Sequence, residues 1–426
     1  MTSDRVSRIR HAWLSPSWIL AFGFVLCASC ASSPKVTGSS AGAPLMATVS
    51  ASDTSSPGPE QEATLAPAAG NPFVGATLFI NPEYKAEVES TAATLGASPL
   101  AAQARKVASF PTAIWLDTLV EVKRTRKWLD DAKAQQKAAG QPVVSVFVIY
   151  DLPNRDCAAK SSAGELTLEH GGEAAYRSKV IDPLAAELKA RPDQRVVLIL
   201  EPDSMPNVAT NMNIPKCAAS AVAYKHLLSY AVNSLAMPNV SLYLDAAHAG
   251  WLGWDGNRAA IAKLYKEVLA DAGGDQKIRG FFTNVSNYNV LKGNASHKLE
   301  PSNPCPDELT YIRELSESMM WAGIKHKGYI IDTSRNGRDG LRTKWGNWCN
   351  VKGAGLGERP RAAPSPLLDA YLWVKPPGES DGISDTSAAR FDAVCASPDA
   401  APSAPEAGKW FSSYFVELVK NADPPL

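Results

Sequence analysis

An excess of charge of either sign is missing from this sequence. Its 426 residues carry 43 Lys plus Arg against 43 Asp plus Glu, a formal net charge of zero. So balanced a chain exerts no broad electrostatic pull on nucleic acid or on an anionic membrane, and a neutral substrate suits it. Histidines are few, and no two of the six form a His-x-x-x-His pair, so zinc hydrolysis lacks a ligand set. No G-x-x-x-x-G-K-[ST] loop occurs, nor a G-x-G-x-x-G after a strand, which leaves nucleotide binding without its phosphate cradles. Cys-x-x-Cys appears only at Cys27–Cys30, so no zinc ribbon or thioredoxin-type site is expected beyond it. No cofactor and no metal are expected.

A long apolar run is also missing. The N-terminal one, Trp18–Leu26, is too short to span a bilayer comfortably. Behind Arg5, Arg8 and Arg10, and ahead of Cys27-Ala28-Ser29-Cys30, it reads as an export signal over residues 1–30. The small residues before Cys30 resemble a bacterial lipoprotein processing site, although Cys27 stands where an aliphatic residue is usual. A lipid on Cys30 and free secretion both stay open, and that lipid is the one membrane link expected. Residues 31–70, rich in Ser, Ala, Pro, Gly and Thr, cannot bury enough surface to offset ordering entropy and read as a flexible linker. Gly38-Ser39-Ser40-Ala41-Gly42 within it matches G-x-S-x-G formally, but no strand precedes it and no helix follows.

Globular sequence runs over 71–426. Apolar runs Ala113–Leu116, Val143–Tyr150, Arg195–Leu200, Val240–Leu244, Gly280–Thr283, Gly328–Ile331 and Ala370–Val374 alternate with amphipathic stretches such as Ala174–Ala190 and Ala218–Leu235. Strands apolar throughout belong to a sheet buried on both faces, and repeated strand–helix units imply parallel strands in a barrel or a doubly wound sheet. Export permits disulfides. Of the seven cysteines, five lie in this part, so two bridges and one free thiol are expected, with no pairing readable from spacing.

The polar residues carry the sharper signal. Nearly every run ends in a side chain fit for chemistry: Asp117, Tyr150-Asp151, Glu201-Pro202-Asp203, Asp245, Asn284, Asp332 and Lys375. One Asp at a strand end is usually a cap or turn residue, but acids at most ends favour a carboxylate-rich cleft on the C-terminal rim. Such a cleft suits glycoside cleavage, in which one carboxylic acid protonates the leaving oxygen and a second carboxylate serves the nucleophile. The acid must stay protonated near neutral pH, about two units or more above its ordinary pKa. Asp203, behind the very apolar Val196–Leu200, is the candidate donor, with Asp156 as its neighbour and Asp245 and Asp381 as further rim acids. His248 reads as a hydrogen-bonded wall residue. Eleven Trp is a high count, and indole faces either stack on sugar rings or fill cores.

Several longer motifs then stand in one order: Tyr150-Asp151-Leu152-Pro153-Asn154-Arg155-Asp156-Cys157, Glu201-Pro202-Asp203-Ser204, Leu244-Asp245-Ala246-Ala247-His248-Ala249-Gly250-Trp251-Leu252-Gly253-Trp254, Thr283-Asn284-Val285-Ser286-Asn287-Tyr288, Trp345-Gly346-Asn347-Trp348-Cys349-Asn350 and Trp373-Val374-Lys375-Pro376. In them the chain resembles glycoside hydrolase family 6, the cellobiohydrolase II and endoglucanase family, over about residues 71–426. The resemblance implies a distorted, incompletely closed parallel β/α barrel with its cleft at the C-terminal strand ends, and inverting hydrolysis of β-1,4-glucan. It implies Asp203 as general acid, Asp156 as the acid that keeps it protonated, and Asp381 as a disputed base. A water chain through Ser162 and Asp156 is the alternative to that base. Tyr150 would press on the distorted sugar, and Arg155, Lys375 and Glu379 would pair with the acids. Asp117, Asp245, His248 and Asn284 would bind substrate, and Trp115, Trp251, Trp254 and Trp348 would be stacking platforms. It pairs Cys157 with Cys217 and Cys349 with Cys395, leaving Cys305 as the free thiol. Full-length loops after Asp156 and after Lys375 favour a roofed tunnel and cellobiose release. An open endoglucanase groove and a non-catalytic surface glucan binder are the rivals, and a monomer is expected.

Overall fold

The computed structural model describes residues 70–293 and 300–426; the export signal, the linker up to residue 69, Cys30 and His297 lie outside the described residues. Among the described residues, nine strands form one sheet: β1 (Thr77–Leu78), β2 (Ile114–Leu116), β3 (Val143–Ile149), β4 (Arg195–Leu200), β5 (Val240–Asp245), β6 (Gly280–Thr283), β7 (Gly328–Asp332), β8 (Arg361–Ser365) and β9 (Leu368–Leu372). The order is β1-β3-β4-β5-β6-β7-β9-β8, with β2 paired to β3 beyond β1. Every pairing is parallel except the β8–β9 hairpin. All seven strands expected from the sequence are present: Arg195–Leu200 and Gly280–Thr283 as expected, four others trimmed or extended by one residue at one end, and Ala370–Val374 moved two residues back to Leu368–Leu372. The short β1 and the half-exposed β8 carry no apolar run that would announce them.

The runs are apolar because both faces of the sheet are covered. Val144, Val146, Val148, Val197, Ile199 and Tyr243 point inward to one core, while Phe147, Ile149, Val196, Leu198 and Leu200 point outward to the helices. Side chains two apart share a face, so a strand with two buried faces has no polar position to show. The barrel curls almost shut. Past the end of β9, Trp373 O accepts from Ala113 N at 3.0 Å, and Val374 O accepts from Trp115 Nε1 at 2.9 Å. At the opposite end, Asp369 accepts from Tyr243 Oη at 2.7 Å and pairs with Arg279 at 2.6 Å. Glycine is required there, since a Cβ on Gly328 would lie 1.8 Å from Asp369 Oδ2.

The expected helix at Ala174–Ala190 is a composite: Gly172–Ala175, a π-helical turn at Tyr176–Ile181, then Asp182–Lys189. The π turn carries Tyr176, whose hydroxyl donates at 2.7 Å to Glu201, two residues before the candidate donor. The disulfides are Cys157–Cys217 and Cys349–Cys395, and Cys305 is free and buried. Breaking Cys349–Cys395, which spans 46 residues, is expected to cost about 4 kcal/mol of stability on the chain-entropy model. A Cys395→Ser variant whose denaturant midpoint equals the parent's would refute that.

Candidate active site

The C-terminal ends of β2 to β7 and of β9 open into a cavity of about 530 Å³, lined among others by Trp115, Tyr150, Asp156, Ser162, Asp203, His248, Trp251, Trp254, Trp348, Lys375 and Asp381. Two loops meet on one side of it. Lys160 N donates to Asp392 Oδ2 at 3.1 Å, and the bare Cα of Gly382 faces Ser161, where a Cβ would come within 2.7 Å of Ser161 Cβ. The segment after Asp156 is thereby joined to the segment after Lys375.

Asp203 stands at the start of the helix Ser204–Thr210 with φ of 66°, a left-handed conformation rare for a residue with a side chain. Asp156, Asn154 and Glu201 are left-handed too, with φ of 55°, 62° and 52°. Strain of this kind gathers where a loop must aim side chains at a site. The backbone N–H of Asp203 donates to Asp245 Oδ2, and Ala247 N donates to Asp245 Oδ1 at 2.8 Å. Those two N–H groups favour the Asp245 anion, although burial pushes its pKa up. The Asp203 carboxyl has no hydrogen-bond donor among the described residues. Burial, then the charges of Asp245 and Asp156, raise its pKa well above the ordinary carboxylate range. Of the pair, Asp203 therefore keeps the proton.

Asp156 Oδ2 accepts from Ser162 N at 3.0 Å. Burial raises its pKa, opposed by that hydrogen bond and by Lys216, whose Nζ donates to the carbonyls of Arg155 and Asp156 at 3.1 and 3.3 Å. The Tyr150 ring meets Trp115 edge-on at 5.7 Å and carries the Arg155 guanidinium over its face at 4.6 Å. His248 Nε2 lies 3.0 Å from Asn287 Nδ2, and burial with the Arg342 charge pushes its pKa down to about 3, so the ring is neutral.

Other expected residues sit elsewhere. Asn284 is fully buried, and both ends of its amide are bonded to backbone, at Asn289 and Asp332. Asp117 and Glu379 are not among the cavity-lining residues. Arg155 and Lys375 do not pair with the cleft acids. Arg155 reaches Asp151 at 3.4 Å and donates to the carbonyls of Ser162, Asp117 and Tyr150. Lys375 pairs with Glu379 at 3.6 Å. Asp381 is bound instead by Arg335, which the rim reading passed over because it lies three residues beyond the end of β7.

Several strand-end acids are struts. Asp332 accepts the N–H groups of Ser286, Ser334, Val374 and Lys375, tying three loops together. Glu201 accepts from Asp151 N, Leu152 N and Tyr176 Oη. A row of acids on the rim thus mixes chemistry with scaffolding.

Burial pushes Asp151 and Glu308 up to about 8 and Glu201 to about 7. Between an unfolded carboxyl pKa near 4 and these values, the native state holds protons that the unfolded chain has released. The stability they contribute is fully present below about pH 4 and is lost as pH rises through 7–8. The thermal midpoint is expected to fall between pH 5 and 8.5, and Glu308→Gln to flatten part of that slope. Calorimetry across pH checks this, and an unchanged slope in the variant refutes it.

A model of the family "Glycosyl hydrolases family 6" matches residues 73–422. The chain is 44% identical to "Exoglucanase 3" of Agaricus bisporus, over 84% of this chain and 80% of that one. It is 45% identical to "1,4-beta-D-glucan cellobiohydrolase C" of Emericella nidulans, with the same shares covered. Among solved structures it resembles "Cellobiohydrolase II (Cel6A) from Humicola insolens in complex with glucose and cellotetraose", with a TM-score of 0.81 and 40% identity, covering 84% of this chain and all of that one.

Proposed function

The chain belongs to glycosyl hydrolases family 6, and from that premise we propose that it hydrolyses β-1,4-glucosidic bonds of cellulose or a related β-glucan with inversion, releasing cellobiose from chain ends. One observation carries the chemistry: the Asp203 carboxyl has no donor among the described residues and is raised in pKa between Asp245 and Asp156 at the cavity wall. Such a group holds a proton without spending it on the protein.

The glucan lies in the cavity with the sugar to be cleaved against Tyr150. Asp203 gives its proton to the glycosidic oxygen as the bond from that oxygen to the anomeric carbon breaks. Positive charge develops on the sugar ring, and the Asp156 and Asp245 carboxylates stabilise it electrostatically. A water attacks the anomeric carbon from the opposite face. Its proton passes by way of Ser162 to Asp156, and the sugar leaves as the α-anomer. Trp115, Trp251, Trp254 and Trp348 offer indole surface along the cleft for stacking. The exo assignment draws on the junction of the loops at Lys160 and Asp392, which bounds the cleft on one side.

Cellohexaose digested in an NMR tube is expected to yield the α-anomer first and cellobiose as the main product. Carboxymethylcellulose should lose viscosity slowly for each new reducing end. A fast viscosity drop makes the enzyme an endoglucanase, and retention of cello-oligosaccharides without cleavage makes it a binder. The two disulfides support export to an oxidising, extracytoplasmic setting. Labelled palmitate in expressing bacteria separates a lipid on Cys30 from free secretion.

A further inference from the structure

Arg342 is buried at 8% exposure, and among the described residues it makes no ion pair. A buried cation without a carboxylate is costly, and an apolar side chain would serve stability better. Three of its N–H donors are spent on neutral oxygens. Nη1 donates to Asn287 Oδ1 at 3.0 Å and to Trp345 O at 3.2 Å, and Nη2 donates to Asn289 Oδ1 at 2.7 Å. The guanidinium also lies 5.3 Å from the centre of the Trp345 ring.

Two of these contacts lead to the cavity. Asn287 Oδ1 is taken by Arg342 and by Tyr288 N, so the amide group facing His248 Nε2 is the Nδ2 donor. The imidazole therefore accepts at Nε2 and carries its hydrogen on Nδ1. Gly250 packs closely against Trp345, where a Cβ would come within 2.2 Å of the indole. Both His248 and Trp345 line the cavity. The loop bearing Arg342 is pinned behind it, where Asp399 accepts from Thr343 N at 2.7 Å and from Asn347 Nδ2.

We propose that Arg342 is a positioning residue for sugar binding. It fixes the Trp345 indole directly and the His248 imidazole through Asn287, so that one glucosyl unit is gripped on the β5–β6 side of Asp203. The inference rests on the glucan-hydrolase reading and adds a residue that touches neither sugar nor acid. Lys cannot replace it, because an ammonium lacks the planar fork that spans Asn287, Asn289 and the Trp345 carbonyl.

The test is cellohexaose binding by calorimetry in an Asp203→Asn background, which stops turnover. Arg342→Met is expected to weaken affinity about tenfold at unchanged stoichiometry. Trp345→Ala, combined with it, should weaken affinity by less than the product of the two single effects, as for residues acting as a unit. Arg342→Lys keeps the charge and should still lose at least threefold; it carries the test if the Met variant does not fold. Affinity within twofold of the parent in the Lys and Met variants, fully multiplicative losses, or a fall in stoichiometry alone would each overturn the proposal. A parent that binds no cellohexaose defeats the glucan reading instead, so the two failures are distinguishable.

Discussion

Replacing Asp203 with Ala is expected to lower kcat on cellohexaose by roughly 10²–10⁴-fold, the range a general acid contributes, while the affinity for cellohexaose hardly changes. The expectation follows from where the proton sits. Asp245 has two backbone N–H groups to stabilise its charge, Asp156 has one, and Asp203 has none among the described residues. Without the proton, the leaving sugar must depart as an alkoxide. A dinitrophenyl cellobioside, whose leaving group needs no proton, should therefore lose far less in the same variant. Equal losses on both substrates would mean that Asp203 shapes the cleft rather than donating. A variant close to the parent on cellohexaose would remove the assignment altogether.

The framework behind this was legible because buried parallel strands leave a plain signature. Val143–Ile149 and Arg195–Leu200 are apolar on both faces, since barrel interior and helices cover them alike. Their ends were legible for the same reason, as the first polar residue after such a run marks the rim. What each rim acid does was not legible. Asp203 and Asp332 look alike in sequence, each closing a run of β-branched and apolar residues. Asp332 meets four backbone N–H groups from three loops, whereas the Asp203 carboxyl meets none among the described residues, and that difference arises from loops far apart in the chain. Arg335 and Arg342 were missed because their partners, Asp381 and Asn287, lie 46 and 55 residues away. Asn284 misled because an amide at a strand end serves equally well as a loop strut and as a sugar ligand.

Asp381 gives the other large expected effect, and its cause is structural. Arg335 Nη1 donates to both of its oxygens at 2.9 Å, while Tyr288 Oη and Asn350 N donate to Oδ2 at 2.9 and 2.8 Å. The ion pair is almost wholly buried, at 0% and 4% side-chain exposure. A carboxylate so engaged has little lone-pair capacity left for a water, although it lines the cavity. Removing its charge leaves the Arg335 guanidinium buried and unpaired, which costs about 3–5 kcal/mol in comparable cases. Asp381→Asn is therefore expected to lose stability on that scale and kcat along with it, because Arg335 also holds the Ser286 carbonyl at the cleft. The shape of its pH profile decides the role. If the base is Asp156, the acid limb of kcat survives in Asp381→Asn, and Arg335→Met combined with Asp381→Leu recovers stability relative to either single change. If the acid limb vanishes, and added formate or azide restores turnover, Asp381 itself takes the proton from water and the route through Ser162 is wrong.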